Sequence, residues 1–155
     1  MFNGESLCET TINEDSNIFV SLNQIDWMDK KTTYWIDISD YDLETANAML
    51  QSKRYLYVGY MCHQTIEKAF KAYFTKATSE TPPYSHSLSF LAKKGGLYEL
   101  LTEAQKEFID QIEPLNIEAR YPSHKERLMK SLTDAKCIEI IQKTKELQEW
   151  IKEKL

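Results

Sequence analysis

From Tyr55 to Ala77 the chain sets Tyr55, Val58, Cys62, Ile66, Ala69, Tyr73 and Ala77 at spacings of three and four, the period of one helical face. The other face carries Gln64, Glu67, Lys68, Lys71 and Thr75. This predicts a helix over about 54–77 with an apolar stripe that other helices must cover. The stretch 79-SETPPY-84 is then a loop, because Pro82 and Pro83 cannot continue a helix.

The same period recurs on both sides. A helix over about 33–52 carries Trp35, Ile38, Leu43, Ala46, Met49 and Leu50, with Thr32 or Thr33 as its N-cap. A short one over 86–93, with Ser85 as a cap, stops at Gly95-Gly96. The next begins at Thr102, which forms a capping box with Gln105. It runs through Phe108, Ile109 and Ile112, kinks at Pro114 and ends at Tyr121 before Pro122. Ser123 and Glu126 form a second capping-box pattern over 124–130, and a last helix over about 133–153 turns Ile138, Ile141, Leu147, Trp150 and Ile151 inward. With only four glycines and four prolines, the chain is expected to be all-α: an up-and-down antiparallel bundle of four or five helices over 32–155.

Residues 1–31 read differently. They hold Glu5, Glu9, Glu14, Asp15, Asp26 and Asp29 and one short apolar run, 18-IFVSL-22. They are expected to form an acidic N-terminal arm, flexible or partner-docking, with at most a short strand or helical turn.

A net charge of −5 excludes a protein that coats nucleic acid by bulk electrostatics but leaves room for a local basic site. Cys8, Cys62 and Cys137 are odd in number and far apart, which suits reduced thiols in the cytoplasm. No basic region followed by an apolar run opens the chain, and no apolar segment has the length of a membrane span. His63, His86 and His124 have no metal-ligand spacing. There is no Gly-rich phosphate loop, no Gly-x-Ser-x-Gly elbow and no Cys–His nucleophile pair, so neither metal nor cofactor is expected.

Three segments carry a resemblance. The run 60-YMCHQTIEKAFKAYF-74, then 82-PPYSHSL-88, then 118-EARYP-122, in that order, resembles the HEPN domain family over about 33–153. The matching positions are Gln64, Glu67, Lys68 and Lys71; Pro83, His86 and Leu88; and Ala119 to Pro122. The resemblance implies a helical bundle, a homodimer, and a nucleotidyltransferase partner in a toxin–antitoxin or stress-defence setting. It also implies, for one subset, a metal-independent ribonuclease in which an arginine holds the phosphate oxygens and a histidine handles the proton.

Here that pair is Arg120 and His124. Only Tyr121, Pro122 and Ser123 separate them, one residue short of the family's usual spacing, and Pro122 breaks the helix between them. The structural alternative has Arg120 capping helix carbonyls or pairing with an acid, and His124 solvated in the following turn. Gln64, Lys68 and Lys71 share one side of their helix and form a candidate nucleotide- or RNA-phosphate stripe; the alternative is a solvated face with a Glu67–Lys71 ion pair. His63 is a site, core or interface candidate, His86 a loop histidine bonded to backbone, and Tyr121 the one aromatic considered for stacking on a base. The leading expectation is a protein that binds nucleotide or RNA; the alternatives are the ribonuclease and a purely structural interaction module.

Overall fold

The computed structural model describes residues 14–118 and 121–155. Among the described residues every regular element is helical: α1 (Glu14–Gln51), α2 (Tyr55–Thr78), α3 (Leu88–Lys94), α4 (Glu103–Ile112), α5 (Leu115–Glu118), α6 (Pro122–Ser131) and α7 (Asp134–Lys152), with a 3-10 turn at Tyr98–Leu100. The expected all-α helical bundle is what forms.

α2 is its axis. α1 packs along it in the opposite sense, α7 packs on it from another side, and α3, α4, α5 and α6 also touch it. Surrounded in this way, α2 buries most of both stripes read from its sequence, with Tyr55, Tyr73 and Lys68 half-buried and Ala77 exposed. Val58, Cys62, Ile66, Ala69 and Phe70 are buried, and so are His63, Gln64, Glu67, Lys71 and Thr75. Each large apolar side chain removed from water contributes about 1.5–3 kcal/mol, and Phe70, Ile66, Leu88, Leu91, Leu97, Ile109, Ile112, Ile140 and Ile151 are all fully covered.

A polar strut ties α7 to the other two long helices. The Gln148 amide donates to Ser39 Oγ at 2.8 Å and to Asp40 Oδ1 at 2.9 Å, and Ser39 Oγ donates to the Thr65 carbonyl at 2.7 Å. Lys152 adds an ion pair with Asp40. At the far end Tyr55 donates to Asp134 at 3.1 Å. The Cys62 and Cys137 thiols are free and buried, and burial pushes them up to about 12 and about 11. They are inert packing groups at neutral pH. Cys8 lies outside the described residues.

Several local expectations change. α1 does not begin at Thr32 or Thr33: it is continuous from Glu14, so 14–31 extend the first bundle helix. No glycine or proline interrupts residues 14–51, and no breaker near Thr32 makes the helix start there. Thr32 is buried, with a hydroxyl that has no described partner.

α3 is capped by Ser87, which accepts from the Phe90 amide at 3.3 Å, while Ser85 accepts from the Ser87 amide at 3.1 Å. The Thr102–Gln105 capping box forms as expected. Pro114 breaks the chain into α4 and α5 instead of kinking one helix. α6 starts at Pro122 with Tyr121 as N-cap, because proline's fixed φ suits the first helical position; Ser123 is already inside.

On α7 the buried stripe is Cys137, Ile140, Ile141, Thr144, Leu147, Gln148 and Ile151. Ile138, expected inward, is 51% exposed. Apolar identity pointed to Ile138, but the stripe runs through the polar Thr144 and Gln148.

Candidate functional site

Glu67 sits at the middle of α2, fully buried. Its Oε1 accepts from Lys71 Nζ at 2.7 Å and from Lys68 Nζ at 3.2 Å. Its Oε2 accepts from His86 Nδ1 at 3.0 Å, with the Gln64 amide at 3.5 Å and His63 Nδ1 at 3.9 Å. Gln64 also accepts from Lys68 at 2.8 Å and donates to Asn116 Oδ1 of α5 at 3.3 Å. Burial by itself would raise the Glu67 carboxyl. The Lys71 hydrogen bond, the Lys68 charge and the His86 hydrogen bond outweigh it and hold the group at about 2.

Two short elements carry the outer parts of this cluster to α2. The α3 N-terminus is gripped by Glu113, whose carboxylate accepts from the Leu88 amide at 3.1 Å and the Ser89 amide at 3.2 Å. This anchors the end of the loop that holds His86 over Glu67. α5 comes close because Gly59 leaves room: a Cβ there would stand 2.9 Å from Leu115 Cδ1. Leu115 seats against α2, and Asn116 then reaches Gln64. From α1, Trp35 lies under Lys71, with the ammonium 5.4 Å from the ring centre. Asp42, also buried, is raised by burial, against the lowering effect of the Lys68 charge and together with the raising effect of Glu67.

Two of the motif segments, 60–74 and 82–88, thus meet around one carboxylate, and α5 adds Asn116 through Gln64. The face expected to be solvated is mostly interior. His63 is wholly buried, and neither ring nitrogen has a hydrogen bond among the described residues. Burial lowers its pKa to about 4, with the Glu67 charge as a smaller opposing influence, so the ring is neutral and out of reach of a ligand. Gln64 and Lys71 are also buried. What reaches solvent is the Lys68 side chain, 16% exposed, and that of His86, 50% exposed.

His86 is bonded to a side-chain carboxylate, where the sequence had suggested backbone. Tyr121 is exposed at the start of α6. Arg120 lies outside the described residues, as does the His124 side chain, although the His124 backbone is in α6.

Sequence reasoning missed Asp42 and Asn116. Asp42 had a signal, an acid among the apolar positions of α1; Asn116 had none. Among the described residues no cluster of histidine, cysteine and acid can hold a metal, and no helix is long and apolar enough to cross a membrane. A groove of about 410 Å³ between α4 and α7, which includes Phe108, Leu147 and Trp150 in its lining, shares no residue with the Glu67 cluster. The cluster is thus a charged patch on a buried base, suited to a ligand that meets it from outside.

Comparison with known proteins agrees with this fold. A family model described as "HEPN domain" matches residues 32–155. The crystal structure of TT1696 from Thermus thermophilus superposes with a TM-score of 0.70 at 18% identity, covering 81% of this chain and 98% of that one. At that identity the likeness is one of fold. No curated protein matches the sequence.

Proposed function

Since this chain belongs to the HEPN domain family, we propose that it is a nucleotide- or RNA-binding HEPN protein that takes ligand phosphate at the Glu67 cluster. It works in the cytoplasm, as a homodimer, with a nucleotidyltransferase partner in a toxin–antitoxin or stress-defence system.

The observation that carries the binding reading is the convergence on Glu67. One buried carboxylate holds two lysines and a histidine, and Lys68 and His86 reach solvent. The anchored ends of these side chains are positioned before any ligand arrives, which lowers the ordering cost of binding. A phosphate meeting Lys68 gains a charge-assisted hydrogen bond without having to dismantle the core.

The test is calorimetric titration of the purified chain with nucleoside monophosphates and short single-stranded RNA. Lys68→Ala is expected to weaken binding about tenfold, the value of one charge-assisted contact. Lys143→Ala, which removes an exposed lysine paired with Glu139 on α7, is expected to leave it unchanged. Absence of binding by folded wild type refutes the reading. A parallel incubation with RNA in EDTA, using Arg120→Ala and His124→Ala, addresses the ribonuclease alternative; cleavage lost in both variants would establish it.

A further inference from the structure

Tyr84 is 98% exposed, the barest large hydrophobic side chain among the described residues. It follows Pro82-Pro83, whose rings restrict the backbone, and stands two residues before His86. Its ring centre lies 5.9 Å from that of His86, with the two planes at 64°. The rings therefore make a corner, not a stack, and at 98% exposure the Tyr84 ring is covered by nothing beyond that contact. His86 is fixed at the other side of the corner by Glu67. Because that carboxylate is ionised at neutral pH, Nδ1 carries the proton. In the neutral ring Nε2 then keeps a lone pair, and it has no hydrogen bond among the described residues. Lys68 shares the Glu67 carboxylate from its second oxygen.

We propose that Tyr84 is the base-stacking platform of the ligand site, with His86 Nε2 accepting from the edge of the stacked base and Lys68 taking the phosphate. The inference rests on the phosphate-binding reading above and assigns the other half of the ligand: a planar nucleobase, carried by a free nucleotide or by an RNA strand. A flat aromatic face, a fixed hydrogen-bond acceptor and a cation lie side by side, and a nucleoside phosphate presents their three complements. Aromatic faces stack with any base, so this half of the site gives affinity more than base choice. Tyr84 is placed for this role where Tyr121, the aromatic singled out in the sequence, has no described contact with the cluster.

The experiment compares AMP, ribose 5-phosphate and a short single-stranded oligoribonucleotide, titrated calorimetrically into wild type, Tyr84→Ala and Tyr84→Trp. Wild type is expected to prefer AMP to ribose 5-phosphate by roughly tenfold, the scale of one base–aromatic stack. Tyr84→Ala should abolish that preference and leave ribose 5-phosphate binding and the melting temperature unchanged. Tyr84→Trp should restore or strengthen it. If only the oligoribonucleotide binds, and Tyr84→Ala weakens it, the inference stands with a strand as the source of the base. Equal binding of AMP and ribose 5-phosphate by wild type, or AMP and oligoribonucleotide binding unaltered in Tyr84→Ala, overturns the stacking role while the phosphate reading survives. No binding of any of the three by wild type overturns both.

Discussion

Replacing His63 by leucine should make the protein less sensitive to mild acid. His63 is wholly buried with no hydrogen bond to either ring nitrogen among the described residues, and burial lowers its pKa from 6.5 to about 4. The folded state therefore resists a proton that the unfolded chain accepts. Between pH 6.5 and 4 the unfolded state binds more protons, so stability falls as the pH falls through that window. Linkage with these two values gives a loss of roughly 2 kcal/mol between pH 7 and pH 5.

Glu67 works in the same direction but later. Its pKa is held at about 2 against an ordinary 4.5, so its contribution is complete above 4.5 and is lost as pH falls from there toward 2. At pH 5 it is nearly intact, which isolates His63. Asp42, raised by burial, acts in the opposite sense in both proteins. Urea unfolding followed by circular dichroism at pH 7 and pH 5 measures the effect. His63→Leu removes two unpaired buried polar atoms at similar volume, so its stability at pH 7 should match or exceed wild type. Its loss on moving to pH 5 should be smaller than that of wild type by roughly 2 kcal/mol. Equal losses in the two proteins, or a His63 ring proton titrating near 6.5 by NMR, would refute the reasoning.

Other perturbations probe other parts of the fold. Glu67→Gln leaves Lys71 buried without its counter-charge and should destabilise by about 3–5 kcal/mol; adding Lys71→Met should recover much of it, as read by thermal melting. On α7, Ile140→Ala should lower stability by about 2–5 kcal/mol while Ile138→Ala changes it by less than about 0.5 kcal/mol. Equal effects would mean that the register of α7 is wrong. Thr102→Ala removes the cap of α4 and should cost about 0.5–2 kcal/mol, with Thr102→Ser close to wild type in the same denaturant assay.

The helices were legible because their signals are local. The apolar period of α2, the Thr102–Gln105 box and the Gly95-Gly96 stop each act within a few residues, and each appears where it was expected. The boundaries that moved, at Thr32, Ser85 and Ser123, are those where no breaker exists, where Ser85 and Ser87 offer the same cap two residues apart, or where Pro122 takes the first helical position ahead of Ser123. Only the surrounding chain chooses among them.

The site was legible in part. Gln64, Glu67, Lys68, Lys71 and His86 were all identified from the sequence, but as an exposed stripe and a separate loop histidine. A helical period tells which residues share a face; it does not tell whether that face meets water. α2 is enclosed by α1, α3, α5 and α7, so most of its polar face is shut off from solvent and satisfies itself around one carboxylate.

By itself the sequence determined the helical class, the family and the residues that carry charge at the site, because periodicity, breakers and motif spacing are properties of neighbours along the chain. The tertiary structure decided which charges are buried. It also decided that segments 19 and 52 residues away from their partners on α2 meet there, and that Tyr84 stands bare beside His86. Burial and long-range contact depend on how helices enclose one another, and no local pattern encodes that enclosure.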